Sequence, residues 1–125
     1  MGTSEFYRVV ESIPGVVDSL VIDTSGVSEG ELLCFVVLDG VALADVEPLL
    51  RQELRSSLSP RHVPNRFVAV AEIPRTLNGK KCEVPVKRIL AGADVESAVS
   101  RDALADPAGF DAFLDVARSA LGGRV

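Results

Sequence analysis

The sequence predicts an α+β domain, with a small mixed or antiparallel sheet of about three strands covered by helices and a helical C-terminal extension. Apolar residues recur at helical spacing in separate segments, β-branched runs of strand length lie between them, and proline and glycine punctuate the boundaries. At 125 residues, 47% hydrophobic and 25% charged, the chain has the length and balance of one folded core rather than disorder or a low-complexity scaffold.

Phe6, Val9, Val10 and Ile13 share one helical face, which Thr3 or Ser4 can cap and Pro14-Gly15 stops. Residues 16–22 and 31–38 are β-prone runs separated by a turn-like stretch at 24–30, and Asp39-Gly40 closes the second, so they read as two paired strands. A second helix starts with Asp45 as its cap and Pro48 in the first turn, and it buries Val46, Leu49, Leu50 and Leu54 beneath a polar side bearing Arg51, Gln52 and Arg55. Pro60 and Pro64 break the chain before a third strand at 66–71 and a polar loop at 74–81. Pro85 starts a short helix through Val86, Ile89 and Leu90 that ends at Gly92. After a linker with a helical turn near 94–99, Asp106-Pro107 opens a last helix. Phe110, Phe113, Leu114, Ala117 and Leu121 form its apolar stripe before Gly122-Gly123. The expected division is residues 1–93 as the domain proper and 94–125 as linker and helical extension packed on it.

The longest apolar run, 32–38, is far short of the roughly 18 residues a membrane span requires. The N-terminus lacks the basic and apolar regions of a signal peptide, and Cys34 and Cys82 have neither metal-ligand nor disulfide-framework spacing. No membrane association, a cytoplasmic location and reduced thiols are therefore expected. The net charge of −5 argues against general nucleic-acid binding, and 5% aromatic residues provide no stacking platform beside the basic stretch. Charge is segregated: residues 1–60 carry 3 basic and 10 acidic side chains, 61–88 carry 7 and 2, and 89–125 carry 3 and 6. A locally basic segment in an acidic protein marks either a phosphate or carboxylate site or a solvated face.

Several chemistries are excluded. The lone histidine, His62, rules out a multi-histidine metal site, and with no Gly-x-Ser-x-Gly elbow there is no hydrolytic triad. Gly79-Lys80 ends like a P-loop, but Pro74 stands where its first glycine belongs and Lys81 where its hydroxyl residue would bind magnesium. No Gly-x-Gly-x-x-Gly occurs. What remains is Ile73-Pro74-Arg75-Thr76-Leu77-Asn78-Gly79-Lys80-Lys81, in which a rigid proline and a permissive Asn-Gly turn deliver a lysine from a loop tip. Such an ammonium suits neutralisation of a carboxylate or phosphoryl oxygen, provided something else supplies the rest of the pocket. An exposed surface turn is the plainer alternative.

That segment resembles the C-terminal signature of adenylate-forming acyl-CoA synthetases, a proline followed by Arg-Thr-x-x-Gly-Lys. Gly2-Thr3-Ser4-Glu5-Phe6-Tyr7 with Val9-Val10-Glu11 resembles the start of the same family's C-terminal subdomain, just after its hinge. Leu58-Ser59-Pro60-Arg61-His62-Val63-Pro64 and Glu83-Val84-Pro85-Val86-Lys87-Arg88-Ile89-Leu90 are most similar to the acetoacetyl-CoA synthetase subgroup. Lys81, Cys82 and Glu83 replace residues common in the acetate-specific subgroup.

The resemblance implies the mobile catalytic subdomain of a larger ATP-dependent acid–CoA ligase, inactive alone, with Met1 an added start residue. It implies that Lys80 joins an acyl carboxylate, here acetoacetate, to the α-phosphate of ATP, after which the subdomain rotates for thioester formation with CoA. It places Arg55 near the CoA phosphates and gives Pro74, Arg75, Thr76 and Gly79 loop-shaping roles. ATP and CoA are implied as co-substrates, with magnesium accompanying ATP in the large domain, and no cofactor or metal held by this chain alone. The N-terminal adenylation domain is the implied partner. Lys80 is also an implied acetylation site, which adds a protein lysine acetyltransferase and deacetylase. The competing reading is a small module that docks an anion or a protein through the basic 61–88 segment.

Overall fold

A computed structural model describes residues 3–24 and 31–121. In chain order the elements are α1 (Thr3–Val10), β1 (Val16–Asp23), β2 (Leu32–Leu38), α2 (Leu43–Ser57), β3 (Arg66–Ala69), α3 (Glu83–Leu90), α4 (Val95–Ala98) and α5 (Pro107–Ala120), with single 3₁₀ turns at Pro60–His62 and Arg101–Ala103. The sheet is mixed: β2 lies at its centre, antiparallel to β1 with Leu20 opposite Phe35 and parallel to β3 with Cys34 opposite Phe67. This is the small α+β architecture that the hydrophobic periods predict.

Both sheet faces are covered, which is why β2 reads as a continuous apolar run rather than an alternating one. On one face Val21, Cys34, Val36 and Phe67 pack with Phe6 and Val10 of α1 and Val46, Leu50 and Leu54 of α2. On the other, Leu20, Ile22, Leu33 and Phe35 meet Val86 and Ile89 of α3, Leu104, and Phe110, Phe113, Leu114 and Ala117 of α5. Phe35 and Phe113 meet edge to face with centroids 4.8 Å apart. The C-terminal helix thus closes half of the core. Asp106 caps it by accepting from the Gly109 N–H at 3.1 Å, and Pro107 sits at the first helical position, where no hydrogen bond is lost.

Some boundaries differ from the sequence reading. Thr3 and Ser4 are both inside α1, so neither caps it. Helix α2 begins at Leu43 with Ala42 as its N-cap, so Asp45 lies in the first turn and Pro48 is the sixth helical residue. Pro48 sits on the exposed side and, lacking an N–H, cannot make the usual bond to the Ala44 carbonyl four residues back. Leu49, expected on the buried face, is 53% exposed, and the buried stripe consists of Val46, Leu50 and Leu54. Helix α3 starts at Glu83, and Pro85 occupies a first-turn position whose N–H has no intrahelical partner in any helix. The third strand stops at Ala69, although Val70 still donates to the Val36 carbonyl. The expected turn at 24–30, the stop at Gly122-Gly123, Met1 and Gly2 fall outside the described residues.

Candidate functional site

The loop expected to carry chemistry is a tight hairpin rooted in the core. Ile73 and Cys82, 5% and 1% exposed, enter the hydrophobic cluster on the α3/α5 side, and the Cys82 N–H donates to the Pro74 carbonyl at 3.1 Å. Arg75 and Lys81 face each other across an antiparallel bridge. The Thr76 N–H donates to the Lys80 carbonyl, and the Gly79 N–H donates to the Thr76 carbonyl, each at 2.8 Å, closing a four-residue turn. Gly79 has φ +83°, the left-handed region that the Asn-Gly pair suits. The Thr76 hydroxyl accepts from the Lys80 N–H at 3.2 Å, and the Arg75 guanidinium donates to the Gly79 carbonyl at 2.8 Å. Arg75, Thr76 and Gly79 thus make contacts within this turn, and Pro74 contributes its carbonyl at the base.

The base is tied to the first two elements. Arg75 Nη2 donates to both carboxylate oxygens of Asp18 on β1 at 2.8 Å. Lys81 Nζ donates to Glu11 at 2.7 Å, lies 3.5 Å from Asp18 and sits 3.4 Å from the centre of the Tyr7 ring. The Tyr7 hydroxyl accepts from the Val21 N–H at 3.1 Å and donates to the Glu83 carboxylate, which covers the free edge of β1. Burial foremost, then that bond to Glu83, pushes the Tyr7 phenol far above its ordinary value. The loop's other flank pairs with the segment after α4: Leu77 N–H donates to Ala103, and Ala105 N–H to Arg75, each at 2.9 Å.

The two adjacent lysines thus have opposite fates. Lys81 is held among two carboxylates and a ring, with 16% of its side chain exposed. Lys80 is exposed at the tip, and among the described residues no ion pair engages its ammonium. Arg55 is exposed on α2, across the sheet from the loop's core anchor, and no hydrogen bond or ion pair among the described residues joins it to the loop. The structure therefore does not gather Arg55 and Lys80 into one site. Three of the seven basic residues in 61–88 are neutralised internally, Arg66 by Glu31, Arg75 by Asp18 and Lys81 by Glu11. His62 Nδ1 shares a 2.6 Å hydrogen bond with Ser59, a local turn contact. No group of three or more potential metal ligands occurs among the described residues.

Sequence reasoning missed Glu11, Asp18, Tyr7 and Glu83 as supports of the loop, and it missed the pairing of 103–105. Asp18 gave one signal, a charge inside a strand rich in β-branched residues.

Comparison with known families matches residues 8–80 to the AMP-binding enzyme C-terminal domain. The acetoacetyl-CoA synthetase of Caenorhabditis elegans is 39% identical over 118 residues, 91% of this chain and 16% of that protein. That of Rhizobium meliloti is 36% identical over 115 residues, covering 90% and 17%. Among solved structures, acetoacetyl-CoA synthetase from Streptomyces lividans superposes with a TM-score of 0.85 at 35% identity over 96% of this chain and 18% of that one. The amide bond synthetase McbA from Marinactinospora thermotolerans gives 0.56 at 29% identity, over 68% and 17%. The chain spans about a sixth of the length of the curated relatives it matches.

Proposed function

The chain belongs to the AMP-binding enzyme C-terminal domain family, and from that premise we propose that it is the mobile catalytic subdomain of an ATP-dependent acetoacetate–CoA ligase. In this reading residues 1–93 are the lid proper and 94–125 an extension packed on it. The partner is an N-terminal adenylation domain that binds ATP, CoA and acetoacetate, and the enzyme works in the cytoplasm. Among the described residues no helix is long and apolar enough to cross a membrane. The observation that carries the proposal is Lys80, an ammonium with no ion pair among the described residues, on the tip of a loop whose base is locked.

The chemistry joins two anions. A carboxylate attacks the α-phosphate of ATP, diphosphate leaves, and CoA thiolate then displaces AMP from the acyl-adenylate. Lys80, brought into a dry cleft, neutralises charge as the carboxylate and phosphate converge, and its loss costs about 10²–10³-fold in adenylation. Magnesium enters with ATP as part of the substrate. Arg55, in the opposite layer, contacts the CoA phosphates in the second step. Two charges on different faces support a subdomain that turns between half-reactions. Acetylation of Lys80 by a protein lysine acetyltransferase removes the adenylation charge, and a deacetylase restores it. The half-buried, ion-paired Lys81 next to it is a poor substrate for such enzymes.

The test is AMP release by the longer native polypeptide, wild type and Lys80→Ala, given ATP, CoA and either acetoacetate or acetate. Acetoacetate-driven release that falls at least 100-fold in the variant supports the proposal. Release within threefold of wild type, or none with either acid, overturns it.

A further inference from the structure

Glu11, Asp18 and the core anchor the hairpin at its base, residues 74, 75, 81 and 82. Of those ties, the Asp18–Arg75 pair touches the turn, through the guanidinium's side-chain bond to the Gly79 carbonyl, and the others stop at the base. Among the described residues, the backbone contact that reaches the turn from outside the hairpin comes from beyond α4. Thr76 bridges Leu104 in antiparallel fashion, with the Leu77 N–H on Ala103 and the Ala105 N–H on the Arg75 carbonyl, each at 2.9 Å. We infer that residues 101–105 are a positioning strap for Lys80, a third strand laid along the outer edge of the loop that fixes where the lysine is presented.

The strap is itself fixed. Leu104, 3% exposed, plugs into the same cluster as Ile73 and Cys82, the residues on either side of the loop. Downstream, Asp106 caps α5 one residue after the last strap bond. Upstream, Arg101 pairs with Asp111 of α5 at 3.0 Å. Any shift of the strap therefore has to disturb a buried leucine or a capped helix, whereas the turn alone has only its own bonds. A residue that acts by aiming a charge is sensitive to small displacements, about 10²-fold for 1 Å. Loss of one strap bond should accordingly lower the step that uses Lys80 more than any other. The activity arm of this inference rests on the proposed function, and the structural arm does not.

Two variants remove one strap bond each. Leu77→Pro deletes the N–H that meets Ala103 while placing proline at the second turn position, which it favours, and Leu77 is 69% exposed. Ala105→Pro deletes the N–H that meets Arg75, and the preceding Leu104 already has the extended φ −89°, ψ 139° that proline requires of its neighbour. Ala105→Ser keeps the N–H and serves as the control. In the 125-residue chain, hydrogen exchange of the Thr76 and Gly79 amides should accelerate at least tenfold in each proline variant, with melting within about 5 °C of wild type. In the parent enzyme, adenylate formation read by pyrophosphate exchange should fall at least fivefold, thioester formation from supplied acyl-adenylate should change less than twofold, and Ala105→Ser should match wild type.

Unchanged amide exchange in both proline variants refutes the strap, as does faster exchange with adenylation and thioester rates lowered equally. If Ala105→Pro melts far below wild type, Leu77→Pro decides. A parent enzyme that forms no adenylate and ignores Lys80→Ala sinks the ligase reading instead, and the exchange rates still decide whether the strap holds the loop.

Discussion

Replacing each of the two neighbouring lysines separately should divide stability from activity. Lys81→Met keeps most of the aliphatic stem and removes the ammonium. That group makes a 2.7 Å charge-assisted hydrogen bond to Glu11, and such bonds contribute about 1.5–3 kcal/mol. It also lies over the Tyr7 ring at 3.4 Å, about 0.5–1 kcal/mol more at a partly exposed site. Its removal leaves the Glu11 and Asp18 carboxylates, 32% and 20% exposed, without the cation between them. The expected loss is roughly 2–4 kcal/mol, or a melting temperature lower by about 8–15 °C for a domain of this size. Lys80→Ala removes an exposed side chain with no described partner, so its stability should stay within about 0.5 kcal/mol of wild type. Urea and thermal melts of the 125-residue chain, followed by circular dichroism, measure both. A Lys81→Met variant within about 0.5 kcal/mol of wild type, or a Lys80→Ala variant that loses more than about 1 kcal/mol, refutes the division of labour between them.

Gly79→Ala forces an alanine into φ +83°, where no neighbour would clash but the left-handed conformation costs about 1–2 kcal/mol, so under the proposed function adenylation by the parent enzyme should suffer more than the melting temperature. Equal losses in both would count against a turn that serves presentation. Glu72 is held above the ordinary carboxylate range by its hydrogen bond to Asp106, then by burial and by that residue's charge. A carboxyl raised on folding stabilises the protein when protonated and loses that contribution as pH rises through its folded value. Glu72→Gln should therefore melt higher than wild type at pH 7 and converge with it below about pH 4; a constant difference across that window would contradict the coupling. Cys34 and Cys82 are 0% and 1% exposed, and burial raises both thiols, offset in part by Lys81 and Arg75 respectively. A disulfide-exchange reagent should label neither in the folded chain and both in denaturant, and rapid labelling of the native protein would show the buried assignment to be wrong.

The parts of the fold that were legible in the sequence are those whose causes are local. The stripe Phe110, Phe113, Leu114 and Ala117 after Asp106-Pro107 is a complete helix specification, and Asn78-Gly79 specifies a turn with one left-handed residue. The α2 start was misplaced because Asp45 is a good cap residue by type, yet Ala42 takes the capping position without a side-chain hydrogen bond. Strand direction depends on where the chain returns after α2, and nothing within 66–71 encodes that β3 runs parallel to β2. The same limit applied to the site. Lys80 could be singled out as a candidate because its loop is contiguous, whereas Asp18 and Arg75 lie 57 residues apart, and Glu11 and Lys81 lie 70 apart. Residues 103–105 were invisible for another reason: Ala-Leu-Ala lacks β-branched residues, and the pairing uses backbone groups that every residue possesses.

The arrangement of charge around the loop is what the proposed delivery of an ammonium requires. In a chain of net charge −5, an exposed lysine has many carboxylates available to it, and one that settles against any of them has little field left to offer a substrate. Glu11 and Asp18, the acids at the foot of the hairpin, are instead occupied by Lys81 and Arg75, the cations on either side of Lys80 in the same hairpin. Those pairs hold the base rigid and also remove the acids that would compete for the tip. The test of this argument is Asp18→Asn beside Asp18→Ala. If Asp18 mattered only as an anchor for Arg75, both would loosen the loop alike. If occupying Asp18 keeps Lys80 free, then Arg75→Met, which leaves the carboxylate in place and unpaired by guanidinium, should depress adenylation more than Arg75→Met combined with Asp18→Asn. A double variant no more active than the single one would leave Asp18 an anchor and nothing else.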